Sequence, residues 1–246
     1  GMRIAAGLAA LLALAGCGKA AERSAAPPSS ATAIPQAAPT APPAPAAGPD
    51  LAQCERLTPA EAEGMERTGP LPIPAKFAAF AAADRDHVAV TTLAGATLCA
   101  DARYHDTAQD FRTFGDGRFF GYGWFGYEAN GFQLFDRAGT GTAIDTGAAP
   151  VFSPAGKRFA SVEWSASGFG ALNAVLVMEV LPGGLKELAR FEQLPELSGD
   201  WRIERWRGED CLELTAEIEQ GRQRFTMRKG PGGWAFAPAP QGCPAG

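Results

Sequence analysis

Histidine is scarce in this chain: only His87 and His105 occur among 246 residues. No HxxxH spacing exists, and the cysteines form no CxxC, so a zinc centre has no ligand pattern to rest on. G-x-S-x-G is also missing, which removes the strained nucleophile turn that such a motif marks. His105 beside Asp106 is half of a triad at best, with no serine placed by a motif, and it reads as a surface loop. Runs of basic residues are absent as well. The chain has 22 Lys and Arg against 27 Asp and Glu, a formal charge of −5. Even the arginine-rich window 201–229 interleaves its cations with glutamates and aspartates. Nucleic-acid binding therefore has no electrostatic footprint. Finally, no apolar run approaches the roughly 20 residues that a membrane-crossing helix needs.

What the N-terminus does have is a positive Arg3, a small-residue apolar stretch over 4–14, and then Leu14-Ala15-Gly16-Cys17. That stretch suits the h-region of an export signal. The four residues resemble the lipobox of bacterial lipoproteins. The resemblance implies cleavage before Cys17 and a lipid-modified cysteine, giving a signal peptide over 1–16. Ala13-Leu14-Ala15 would also serve as an ordinary secretory cleavage site. Gly18 follows the cysteine, where the family's inner-membrane retention signal is an aspartate, so the outer membrane is expected. Acyl chains contribute about 0.8 kcal/mol per buried CH₂, and several together hold firmly.

Residues 17–50 carry the lipidated cysteine and an Ala/Pro-rich tether, and 27–49 contain no charge. Such a segment cannot bury enough apolar surface to offset its chain entropy. Its prolines favour polyproline II, at about 3 Å per residue, so the spacer reaches up to ~100 Å. A folded head would then stand clear of the membrane.

Residues 51–246 are long enough for one domain with a full core. They hold four cysteines, Cys54, Cys99, Cys211 and Cys243. An even count in an exported chain suggests two disulfides, with three possible connectivities. Pairing Cys54 with Cys99 and Cys211 with Cys243 closes the shorter loops and is expected on that ground. Thr58-Pro59-Ala60-Glu61 reads as a capping box opening a short helix, and 74–83 reads as a second one. From His87 onward the pattern is period-two alternation broken by Gly-rich turns. Strands are expected over 88–91, 97–99, 118–125, 132–136, 142–145, 159–164, 174–180, 186–191, 201–206, 211–216, 224–228 and 234–236.

Arg118, Phe119 and Trp124 align with Arg158, Phe159 and Trp164 at an offset of forty, the length of a four-stranded blade. The turn Phe152-Ser153-Pro154-Ala155-Gly156-Lys157 is similar to the F-S-P-D-G-K turn of WD-repeat-like and TolB-like propellers, with Ala155 in place of the aspartate. The resemblance covers residues 118–191 and implies a propeller-like stack of antiparallel blades. The head has room for about four blades, small for a closed propeller, so a β-sandwich is the alternative.

Gly121-x-Gly123-x-x-Gly126 matches the dinucleotide fingerprint in letters only. The fingerprint needs a helix after it, and here a turn follows at 128–131. The glycines alternate with Phe120, Tyr122 and Trp124, which share one face of a strand. Gly121 and Gly123 would let a neighbouring sheet approach closely. Core packing is one reading of these rings. The other is a platform in which Tyr122, Trp124 or Tyr127 touches a ligand or partner, because such rings are rigid anchors. Asp84 and Asp86 lack the remainder of a calcium loop and read as a turn. Alternation places Trp201 and Trp206 on opposite faces of one strand.

The sequence thus leads us to expect a non-enzymatic lipoprotein of the outer membrane or periplasmic face, without cofactor or metal. Its head would be a protein-interaction or scaffolding module for an envelope protein. Two other readings stay open. A glycan- or small-molecule-binding lipoprotein requires a pocket near Trp124 or Tyr127. An envelope hydrolase requires His105 in a cleft, within reach of a carboxylate or hydroxyl.

Overall fold

The computed structural model describes residues 48–57, 67–164, 168–195, 200–237 and 242–244. Cys17, the signal peptide, the tether up to residue 47 and the capping box at Thr58 lie outside the described residues. Asp50 already belongs to the head: its carboxylate caps a 3-10 turn at Leu51–Gln53, and its amide donates to Thr97 Oγ1 at 3.0 Å.

The head is all-β and consists of four antiparallel sheets, each built from strands consecutive in sequence. The first contains β1 (Ala81–Ala83), β2 (His87–Thr91) and β3 (Thr97–Asp101). The second contains β4 (Thr107–Phe114), β5 (Phe119–Gly126), β6 (Ala129–Asp136) and β7 (Thr142–Asp145). The third contains β8 (Val151–Phe152), β9 (Arg158–Glu163), β10 (Ala174–Leu181) and β11 (Gly184–Phe191). The fourth contains β12 (Asp200–Arg207), β13 (Cys211–Ile218), β14 (Gly221–Gly230) and β15 (Gly233–Phe236).

Alternation does two jobs in the middle sheets, because both of their faces are covered. From β5, Phe120, Tyr122 and Trp124 pack on Val88 and Val90 of the first sheet. Phe119, with Phe132 and Leu134 of β6, packs instead on Phe159, Leu176 and Met178 of the third. The opposite faces of β9 and β10, through Ala160, Val162, Val175 and Val177, meet Trp201, Leu212, Leu214 and Met227 of the fourth. Each large side chain so buried contributes about 1.5–3 kcal/mol. The sheets therefore stack in chain order.

Both expected disulfides are present: Cys54–Cys99 and Cys211–Cys243, with sequence separations of 45 and 32. Cys211 shares the polar face of β13 with Glu213 and Thr215, and the C-terminal tail reaches it there.

Four expectations need correction. The helix over 74–83 is a 3-10 turn at Ala75–Phe77 followed by β1. Alanine favours a helix, but so short a segment is marginal in isolation. Pairing of Ala81 with Val90, and burial of Phe77 on Phe120 at 5.1 Å, decide for the extended form. Trp201 and Trp206 do not lie on opposite faces. A bulge between Ile203 and Arg205 shifts the register by one residue and returns Trp206 to the buried side. The forty-residue repeat also fails in detail, since Trp124 packs towards the first sheet and its counterpart Trp164 towards the fourth. Phe119 and Phe159 consequently face each other across one junction, centroids 6.2 Å apart. The Gly121 expectation changes too: the space its missing Cβ leaves is filled by the Phe132 ring of the adjacent strand, not by another sheet.

Arginines join the sheets at their turns. Arg137 donates to Thr91 O and Gly117 O and lies 4.1 Å over the Phe80 ring. Arg118 binds Asp136 and reaches Gly184 of the third sheet. Arg158 donates to Glu209 O and pairs with Asp210 at 2.7 Å. The Glu209 carboxylate accepts from Ser153 Oγ at 2.6 Å and Ala155 N at 2.8 Å. The turn that has Ala155 in place of an aspartate is thus supplied with a carboxylate by the next sheet. Glu209→Ala should lower stability by about 1.5–3 kcal/mol, the value of a hydrogen bond to a charged group. Adding Ala155→Asp should restore part of it. Urea midpoints of the two variants check this, and a double variant no more stable than Glu209→Ala refutes the exchange.

Candidate functional site

One end of the stack gathers the loops 102–106, 126–129 and 168–173. Antiparallel pairing of Thr107 with Phe125 puts the first two side by side. Gly126 completes the approach, since a Cβ there would collide with the Tyr104 carbonyl. The third loop is tied in by the Ala171 amide, which donates to Asn130 O at 3.2 Å.

Beneath this end lies a polar network inside the aromatic core. His105 is buried, contrary to the expected surface loop, and its ring stacks on Trp124 at 4.2 Å. Its Nδ1 shares a hydrogen bond with the Tyr122 hydroxyl at 3.0 Å. Trp124 Nε1 donates to Asp145 at 2.5 Å, and that carboxylate also accepts from the Phe132 and Gly147 amides. Gly131 makes room, since a Cβ there would lie 2.5 Å from the Asp145 carboxylate. Arg67 fixes the loop from the other side, donating to the carbonyls of His105, Ala102, Arg85 and Gly69.

Burial sets the charge states. It holds the His105 imidazole down to about 4, the nearby Arg67 adding to the effect and Asp101 opposing it. It pushes Tyr122 well above the ordinary phenol range. Asp145 is raised by the same desolvation, against the hydrogen bonds from Gly147, Trp124 and Phe132. Arg67 is lowered by desolvation. His105 and Tyr122 are thus both neutral near pH 7.

Of the three aromatic contact candidates, Tyr122 and Trp124 are inside, 0 % and 7 % exposed, with their polar atoms satisfied internally. Tyr127 is 76 % exposed at the hairpin tip. It is joined at this end by Tyr104, Phe125 and Phe169. Every exposed large aromatic among the described residues lies here, while the exposed Leu93 and Leu181 lie at the opposite end. Sequence reasoning missed Tyr104 and Phe169, because neither stands in a periodic pattern. The adjacent His105–Asp106 pair was the available signal for Tyr104.

Asp84 and Asp86 form the turn that was expected. Asp84 Oδ1 accepts from the amides of Asp86 and His87, and Asp86 pairs with Arg85. Among the described residues, no three His, Cys, Asp or Glu side chains are grouped to hold a metal ion. The glycines of 121–126 lie in β5, which runs into a hairpin and not a helix.

The chain matches no protein-family model, and no curated protein shows significant similarity to it.

Proposed function

We propose that the protein is a lipoprotein of the bacterial envelope, acylated at Cys17, with a head that binds another envelope protein and does not catalyse. The observation that carries the binding part is the aromatic rim, where Tyr104, Phe125, Tyr127 and Phe169 stay in water although the same chain buries its other large rings. Rigid rings of this kind serve as interface anchors at low entropic cost. Two disulfides support an oxidising, exported compartment. The Ala/Pro tether would hold the rim away from the outer membrane. The stacked four-sheet order supports a propeller-like arrangement of blades over a β-sandwich, since the two middle sheets are covered on both faces.

A photo-reactive phenylalanine at position 127, introduced into the full chain in its own cells, should cross-link a defined envelope protein. The same residue at Leu93, exposed at the other end, should not. Equal patterns from both positions, or none from either, overturn the reading. Cross-linking to cell-wall glycan alone would select the glycan-binding alternative instead. Cys17→Ala should abolish incorporation of labelled palmitate and release the chain from the membrane fraction; unchanged labelling refutes the anchor.

A further inference from the structure

The last strand of the fourth sheet is shorter than the strand it pairs with. β14 runs for ten residues, but β15 is matched only to 227–230 of it. One further bond follows, from the Ala237 amide to Thr226 O at 2.7 Å. In an antiparallel ladder the N–H and C=O of one residue point to the same neighbour, and successive residues alternate. Thr226 faces β15, so Arg224 and Arg222 offer their backbone groups to that same side. Among the described residues no strand pairs with them there. The next described residues of the chain, 242–244, are held at the other half of β14, because Cys243 is bonded to Cys211, the partner of Arg228.

Other long edges of the head are spoiled for pairing. The ladders of β4, β11 and β12 each contain a bulge, a device that blunts an edge. β14 is matched to β13 over eight residues with no shift of register. Its open half is therefore a regular template. A cleft of about 1090 Å³ runs along it. Five consecutive residues of β14, 222–226, line this cleft, so it follows the edge of the sheet and not one face; Phe236 and Ala237 mark where β15 stops.

The two sides of the open segment differ. Phe225 turns to the buried side, against Trp201 and Phe236. Arg222 and Arg224 are exposed on the other. The carboxylates around them are already engaged: Glu217 by Arg222, Glu213 by Arg205 and Arg207, and Glu204 by the Thr215 hydroxyl. Arg224 has no ion-pair partner among the described residues. Like charges facing each other across a ladder are destabilising and opposite charges stabilising. The two arginines thus oppose pairing with the same edge of a second copy and favour an acidic strand.

We infer that the open half of β14 binds an extended acidic segment of another protein, which joins the fourth sheet as a strand in the track where β15 ends. The segment's backbone bonds to Arg222 and Arg224. Its carboxylates, at alternate positions, meet the two guanidinium groups, and the apolar side chains between them turn to Phe225. Strand addition of this kind draws affinity from main-chain bonds and specificity from alternate side chains. The site does not rest on the aromatic rim, so either can fail without the other.

The test is a titration of the full chain with a dye-labelled peptide of four alternating glutamate–valine pairs, read by fluorescence anisotropy. One control peptide has lysine for every glutamate. A second keeps the charges but is methylated at its glutamate amide nitrogens, which removes the donors that face β14. We expect saturable binding of the first peptide and none of either control. Bound peptide should slow hydrogen exchange at the Arg222 and Arg224 amides and leave Gln223 and Phe225, which face β13, little changed. Arg224→Glu lies at an exposed position and should fold normally, yet weaken binding about tenfold. Arg224→Gln should weaken it severalfold and reduce its salt dependence. Equal binding of either control, protection confined to other amides, or no saturable binding at millimolar peptide overturns the inference. Slowed exchange at Arg222 and Arg224 that grows with protein concentration, without peptide, means that a second copy fills the edge and overturns it as well.

Discussion

Replacing Arg118 by methionine should cost about 3–5 kcal/mol, the penalty for stranding a buried charge. Asp136 is 0 % exposed, and both of its oxygens are taken by Arg118, at 2.7 Å each, in a two-pronged pairing. The Ala138 amide at 3.0 Å is its one other donor among the described residues. Without the guanidinium, the carboxylate is left without its main partner in a site built to exclude water. Arg118 also donates to Gly184 O at 3.1 Å, so the junction between the second and third sheets loosens as well. Arg118→Met with Asp136→Leu should recover most of the loss, because a buried ion pair replaced by packed apolar groups is often close to neutral. Urea midpoints of the two single variants and the double variant complete the cycle. Arg202→Ala is the reference. Its pairing with Asp200 is exposed on both sides, and its removal should cost little. If Arg118→Met costs no more than Arg202→Ala, the junction is not held this way.

Much of this architecture was legible in the sequence where alternation met a fully covered face. β5, β6, β10 and β13 are long, carry large apolar residues, and sit at the expected positions within a few residues. The cysteine pairing was legible because loop closure favours the near partners. What escaped were the elements whose pattern is broken by a bulge or hidden by short length. In β4, Ala108, Phe111 and Phe114 are its only partly buried positions, spaced by three. An irregularity between Gln109 and Arg112, with Asp110 at φ 54°, inserts the extra residue that destroys the alternation. Comparable bulges lie in the pairings of the edge strands β11 and β12. Such bulges discourage intermolecular pairing at a sheet edge, and the same device conceals the strand from a period-two reading. The aromatic end was half legible. The β5 rings were seen, but which of them face water depends on the first sheet, whose β1 resembled a helix. His105 was misjudged because its neighbours come from three separate segments, Arg67, the β5 pair Tyr122 and Trp124, and Asp145, and no spacing connects these to His105.

That misjudged histidine yields the second large expectation, a loss of stability in mild acid. The His105 pKa is about 4 in the folded chain, against 6.5 for an ordinary histidine. Between those values the unfolded chain is protonated at this position and the folded chain is not. The stabilising contribution is complete above 6.5, declines as the pH falls, and is gone below about 4. Integrated over that window it amounts to about 3 kcal/mol. The cause is local. A protonated ring would sit in the aromatic core, with the Arg67 guanidinium bonded to its own carbonyl, and only Asp101 nearby to favour the charge. Asp145 works in the opposite sense. Its raised pKa means that the folded chain takes up a proton above the usual carboxylate range, which offsets part of the loss at the acid end. The slope should therefore flatten where Asp145 protonates. His105→Phe keeps the stack on Trp124 but removes the titration. It should lower stability at neutral pH, because Tyr122 loses its partner, and should flatten the slope across the window. The urea midpoint measured against pH for both proteins decides the matter. Parallel curves would mean that His105 is not the group responsible. A parent curve that falls and a variant curve that stays level would tie the acid sensitivity to this ring, and with it the order of the loop that carries Tyr104 to the aromatic rim.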